Sequence, residues 1–565
     1  ALAAGETPSP EMVAAAGEGS GLAVKFAIPL YLVVVAGIAA HVFYLQREVA
    51  LDRLGTFYSP EVLEHKAREM LRSFGGNEPV ADSVRGLDWN WSFFDHVKAK
   101  DKPVPDWNQI LPGRPPVVKF WYRESPAPLV AGEFHDDLLT PGMVDAVDPP
   151  GILAGMRSIE LDKEGRLISF FRVPPERTEG PKPPSAVDWA PFFNAAGLDP
   201  AQLRPATAKG AWLEAADLRE AWSGVWPGTT RPLHVEAAAW QGQPVVFAVQ
   251  GSWSTLWRTP RPPSARGQTS MLILCSLAVT TIVASSLLAR RNVLRGRGDR
   301  SGAMRLAAFM FAVHMTLWLT RSHFAPSLGT FGMFLLALCT SIAYAVLVWT
   351  LYMAIEPYVR RHWPHTIISW TRVLSGRLRD PIVGRDILIG AAVSLGWRFL
   401  GHVSSALDRS NMPDFISPTL LLGARSTLGE YLENVPHAIR ETLLFFFILF
   451  LFRVILRNQW AAAVAFASIF VALNIAGGGL DPVRLATASV VFLSISLLVV
   501  RFGLLALASA YLIDGTLGDM PVTFQPSQWY FFSFALLMVL TLGLVTWAFK
   551  QAVSGQKWFG EALFD

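Results

Sequence analysis

The chain has 565 residues, 52% of them hydrophobic and only 17% charged, with a net charge of +4. This balance excludes a purely soluble globular protein and a nucleic-acid-binding surface, and predicts a polytopic α-helical membrane protein with one sizeable soluble insertion. The two cysteines, Cys275 and Cys339, both fall inside predicted spans, so the insertion has no disulfide framework and no cysteine metal site.

Residues 1–21 are small, acidic and rich in Gly and Pro, and read as a tether. Gly17, Gly19 and Gly21 lack the spacing of a dinucleotide loop, and no strand precedes them. Residues 22–45 are apolar and long enough for a first span.

Residues 46–266 form a soluble α+β domain with two halves of similar order, near 59–175 and 186–253. In the first, Ser59 is placed as the N-cap of SPEVLEHKAREMLRSFG. The strand VVKFWYRES follows, then a hairpin turning at Asp162–Gly165. In the second, DWAPFFNAAGLDPAQL is helical and LHVEAAAWQGQPVVFAVQG is a hairpin turning near Gln241–Gly242. The pattern predicts two α+β modules side by side and is similar to tandem PepSY or cystatin-like modules. Pro-rich stretches at 178–185 and 259–264 read as stiff connections. His96, His135 and His234 have no nucleophile context, Asp136-Asp137 is a lone acidic pair, and Trp89, Trp91, Trp121 and Tyr122 read as core or interface.

Residues 267–565 are membrane. Spans are predicted near 269–289, 304–321, 328–356, 387–404, 440–457, 459–476, 485–513 and 528–550, about nine with the first. The stretch 290–300 is basic, and so is 356–386, with Arg360, Arg361, Arg372, Arg377, Arg379 and Arg385. Basic loops stay in the cytoplasm and contact lipid headgroups. Span parity then predicts a cytoplasmic N-terminus, an extracytoplasmic 46–266 and an external C-terminus. If 485–513, interrupted by Arg501, is two segments, the C-terminus moves inside.

Glu430, Glu433, His437 and Glu441 share one helical face at spacings i, i+3, i+7 and i+11. Metal bundles use Glu-x-x-His where this chain has Glu-x-x-x-His, the Glu-Glu pair of CAAX-type membrane proteases is missing, and Pro436 interrupts the run. A solvated amphipathic helix at the outer membrane surface is the expectation. Intramembrane His41, His314 and His402 are expected to bond neighbouring helices instead of holding haem. Arg398 and Arg501 are expected to face the bundle interior or snorkel. No catalytic residue, metal ligand or cofactor site is predicted.

Three stretches carry a resemblance: ALAAGETPSPEMVAAAGEGSG, EPYVRRHWPHTIISWTRVLSGRLRDPIVGRD, and the ending with PVTFQPSQWYFFS and VSGQKWFGEALFD. Together they resemble the sensor and transmembrane region of acidobacterial-type membrane-bound serine/threonine protein kinases. The resemblance implies an upstream kinase domain joined by the tether. This chain has no HRD, DFG or VAIK motif, so it implies no catalytic residue here. It implies a sensor and transducer in a bacterial inner membrane; the alternative is an accessory subunit of a large photosynthetic or respiratory complex. The expected partners are membrane lipids and a membrane protein or a second copy, without nucleic acid.

Overall fold

The computed structural model describes residues 12, 21–75, 78–100, 105–177, 187–210, 212, 214–254, 265–407, 412–478 and 481–555. The tether (Met12 and Gly21 apart), the two Pro-rich connections and the last ten residues of the C-terminal block lie outside the described residues.

After helix α1 (Val24–Glu48), the chain builds the soluble domain from α2 (Pro60–Ser73), β1 (Asp82–Trp89), α3 (Trp91–Lys100), β2 (Val118–Ser125), β3 (Arg157–Leu161) and β4 (Leu167–Arg172). It continues with α4 (Ala190–Ala196), β5 (Arg204–Pro205), β6 (Leu218–Val225), β7 (Pro232–Trp240) and β8 (Gln243–Gln250). The two expected modules are not separate bodies. All eight strands form one sheet of order β1-β2-β3-β4-β8-β7-β6-β5, and the halves join where β4 pairs antiparallel with β8. Ser59 accepts from the Val62 amide as the N-cap of α2, and both expected hairpins are present. Side chains alternate across the sheet. Phe120, Ile159, Phe170 and Phe247 face α2 and α4, where Phe74 stacks on Phe192 at 3.8 Å. The other face is covered by two long loops, 126–156 and 206–217, the latter described apart from residues 211 and 213.

The helical part comprises α5 (Ala265–Leu294), α6 (Arg300–Arg321), α7 (Leu328–His362), the short α8 (Ile368–Leu374), α9 (Pro381–Leu407) and α10 (Ala424–Leu456). It ends with α11 (Gln459–Gly478), α12 (Pro482–Phe502), α13 (Leu504–Gly518) and α14 (Phe531–Ala552). Asp299, Ser327 and Asp481 cap α6, α7 and α12 by accepting backbone amides. Among the described residues, eight helices are long and apolar enough to cross a membrane: α1, α5, α6, α7, α9, α11, α12 and α14. This fits a polytopic helical protein with an α+β domain. The expected span 440–457 is the apolar end of α10, whose other half is charged, and α13 is shorter.

The expected single span 485–513 is two helices. Gly503 breaks the run at φ 99°, and a Cβ there would overlap the Thr366 carbonyl. Arg501 is therefore the basic residue of a last helical turn, not a charge in mid-span. The extra helix brings the end of α14 back beside the start of α1, where the Leu22 amide donates to Ala552 O at 3.1 Å. A Cβ at Gly384, at the end of the basic segment, would meet the backbone of Ala548 and Ala552, so Leu22 and Ala552 both lie beside that segment, the arrangement expected if 485–513 is two segments.

The domain meets the helices along residues 412–422. Ala50 donates to Asp414 O at 2.9 Å, and Trp89 Nε1 to Ile416 O at 2.8 Å. Phe415 packs against Trp89, Trp91 and Phe94.

Single cysteines at Ser375, Ser554 and Thr230, placed in a Cys275→Ser/Cys339→Ser background, test this arrangement. The first two are expected to react with an impermeant thiol reagent from one side of a sealed vesicle, and the third from the other. Labelling of Ser554→Cys together with Thr230→Cys would overturn the two-helix reading of 482–518.

Candidate functional site

The loop 126–156 reaches from the sheet to the helices. Asp148 folds the loop on itself, accepting from the Gly132 and Glu133 amides at 2.9–3.0 Å and bonding His135 Nε2 at 2.8 Å. These contacts outweigh the effect of burial and lower the Asp148 pKa. The far part of the loop is pinned to the turn after α6. Ser322 donates to Pro141 O at 2.5 Å, and the His323 amide to Gly142 O at 2.9 Å.

The tip delivers two carboxylates. Asp136 pairs with Arg321 of α6 at 2.9 Å. Asp137 pairs with Arg440 at 2.7 Å and with His437 at 3.2 Å, both on α10, while its carbonyl accepts from Tyr344 of α7 at 2.6 Å. The bond from His437, with help from Arg440, holds the Asp137 carboxyl well below the usual carboxylate range. Burial opposes this but is outweighed by the two partners together. Asp136-Asp137 is therefore not a lone acidic pair but a second contact between domain and helices, beside the one along 412–422.

On α10, Glu430, Glu433, His437 and Glu441 enter one network. Arg321 contacts Glu433 at 2.9 Å and Glu430 at 3.7 Å, His437 lies 3.6 Å from Glu433, and Arg440 holds Glu441 at 3.0 Å. This corrects the expected solvated surface helix: residues 428–441 are the first half of a 33-residue helix, and their charged face is covered by α6 and the loop. The sequence marks Asp136-Asp137 only as a lone pair and does not mark Arg321 or Tyr344, because these belong to other segments and nothing in local spacing links them to α10; Arg440 lies on α10 itself but is a single basic residue beside the acidic face.

Asp137, Glu433 and His437 place one ligand atom each within 4.8 Å of one another. They do not fit a metal ion. Arg440 Nη2 already lies 2.7 Å from Asp137 and 2.9 Å from His437 Nδ1, and Arg321 lies 2.9 Å from Glu433. A cation there would meet two guanidinium groups and a nitrogen already bonded. What the arrangement can do is hold a domain to a helix pair through several mutually dependent charges. Beside it lies a cavity of about 210 Å³ lined by Glu430, Glu433, His437, Asn434 and Asp519.

The remaining polar positions are held elsewhere. His41 and His402 bond each other at 2.8 Å, and the other nitrogen of His41 bonds Leu517 O. A haem iron would have to separate those two rings. His314 stacks on Tyr344 at 4.5 Å. Arg398 is bidentate to Asp514 of α13, with Nε donating at 2.6 Å. In the basic segment, Arg360 pairs with Glu356 at 3.1 Å, Arg372 with Asp380, and Arg385 with Asp386 at 2.9 Å. Arg361, Arg377 and Arg379 are exposed. Half of the expected headgroup-facing arginines are thus internal, and Arg372 is 1% exposed.

Two expectations follow. Arg321→Ala leaves Asp136, Glu433 and Glu430 without their shared cation, and should cost about 3–5 kcal/mol of stability, read as a lowered unfolding midpoint in detergent. Elemental analysis of the purified protein should find no stoichiometric zinc or iron, with the same result for His437→Ala; a metal lost in that variant would overturn the ion-pair assignment.

Compared with protein-family models, with curated proteins and with solved structures, the chain matches none.

Proposed function

We propose that the chain is a non-catalytic membrane sensor and transducer, in which the β-domain acts on the opposite membrane face through α6, α7 and α10. The observation that carries this reading is the path from the acidic tip. α6 receives Asp136 at Arg321, and near its other end Arg305 donates to Leu374 O at 3.0 Å. α10 receives Asp137 at His437 and Arg440, and near its other end Arg453 lies 4.3 Å over the Trp363 ring. Both receiving helices therefore end against the basic segment 363–380. A displacement of the loop is felt there because packed helices move as rigid bodies.

With the basic segment in the cytoplasm, as its arginines favour, the β-domain is extracytoplasmic and residues 1–21 are cytoplasmic. The resemblance to membrane-bound serine/threonine kinases supports the same direction of signalling. The alternative, an accessory subunit of a larger complex in a bacterial inner membrane, draws on α5. It is the least covered of the spans, with Leu272, Val279, Val283 and Leu287 all exposed.

Hydrogen exchange in nanodiscs distinguishes the two. Asp136→Asn/Asp137→Asn should raise exchange in 363–380 by about tenfold or more while leaving β7 and β8 protected. Unchanged exchange in 363–380, with the loop itself released, would sink the transducer reading and leave the accessory one.

A further inference from the structure

The face of the sheet turned away from α2 and α4 carries a second built feature. Both loops that cover it are fastened by buried charged residues of the sheet. Arg123 of β2 donates to Asp145 O at 2.8 Å and to Pro149 O, fixing loop 126–156. Glu236 of β7, 1% exposed, accepts from the Lys209 amide at 2.8 Å, the Gly210 amide at 3.0 Å and Trp212 Nε1 at 2.9 Å, fixing loop 206–217. Between the fastened loops lies a cavity of about 170 Å³.

Its walls are aromatic and aliphatic. Trp121 lies across β1 at Gly86, where any side chain would collide with the indole. Phe171 and Trp212 pack with centroids 5.4 Å apart, and Val147 and Ile152 come from the other loop. The charged groups along it have partners, although Arg157 Nε and Nη1 make no hydrogen bond among the described residues. Arg123 holds the loop, Glu160 pairs with Lys119 at 3.3 Å, and Arg157 pairs with Glu124 at 2.6 Å and Glu78 at 3.4 Å. One hydroxyl is different. Ser169 sits on the open face, opposite Glu160 in the ladder, is 6% exposed, and its Oγ has no hydrogen-bond partner among the described residues. A buried hydroxyl without a partner carries a desolvation cost that a ligand can remove.

We propose that this cavity is a binding site for a small, flat, uncharged aromatic molecule with a single hydrogen-bonding group, which Ser169 Oγ meets. The volume is close to that of cavities that take a single aromatic ring, about 150 Å³. Offset stacking on Trp121 and Trp212 supplies affinity, and the lone hydroxyl supplies polarity. Arg157 and Glu160 are ion-paired and Arg123 is taken up by two loop carbonyls, which leaves an ionic ligand little counter-charge to take. The site stands on its own geometry and rests on the transducer reading only for its purpose: loop 126–156 forms one wall and also carries Asp136 and Asp137 to the helices.

The experiment is calorimetric titration of the full chain in nanodiscs with indole, and with naphthalene as the matched ring system lacking an N–H. Saturable one-to-one binding of indole is expected, about tenfold tighter than naphthalene, a ratio equivalent to one hydrogen bond. Ser169→Ala should erase that preference while leaving naphthalene unchanged, and Ser169→Leu should abolish both by filling the space. Absence of saturable indole binding up to millimolar concentration would overturn the proposal. So would an indole affinity equal to that of naphthalene in the unaltered protein, a comparison that needs no variant to fold. Exchange in 363–380 is followed in the same samples. Binding without a change there keeps the site and counts against the transducer reading, whereas absent binding removes the site and leaves that reading to the Asp136/Asp137 variant.

Discussion

One guanidinium group sets the relation between the two parts of the molecule. Arg321 is 8% exposed and faces Asp136 from the domain and Glu430 and Glu433 from α10. Its approach depends on Gly429, since a Cβ there would come within 2.9 Å of Arg321 Cγ. An ion cluster of this kind adds little net stability, because the desolvation of its members offsets their attraction. Its consequence is positional. Withdrawing any member leaves the others uncompensated, so the loop, α6 and α10 hold one register or lose it together.

The two halves of the domain use the same device to different ends. Asp148 and Glu236 each take two backbone amides and a histidine, and each thereby shapes a long loop over the open face. In the second half the loop ends on the sheet. In the first half it continues past the sheet to the helices. The first half is therefore the one that touches the membrane part through its loop, while the second completes the sheet and the far wall of the cavity.

What was legible in the sequence was whatever local chemistry decides. Ser59 before Pro60, the turn at Asp162–Gly165, and the long apolar runs each specify their element without help from elsewhere. The break at Gly503 was visible only as an interruption near Arg501, because a glycine in an apolar run reads equally as helix or hinge until Thr366 is placed against it. The face Glu430–Glu433–His437–Glu441 was legible as a face but not as an interface. Its counter-charges lie about three hundred residues upstream at Asp137 and about a hundred upstream at Arg321. Spacing along one helix carries no record of a loop that arrives through the fold. Arg372 was misread for the same reason: as a sequence letter it is a topology signal, and Asp380 turns it into a buried pair.

The meeting of Leu22 with Ala552 has a further meaning for the helical part. Helix α9 packs on both terminal helices: a Cβ at Gly384 would collide with the backbone of Ala548 and Ala552, and one at Gly37 with Leu395. The order of the helices is thus cyclic in space even though it is linear in the chain. Joining Ala552 to Leu22 by a short link and opening the chain at an exposed turn such as Gly296 would give a circularly permuted chain in which α9 still packs between the same two helices.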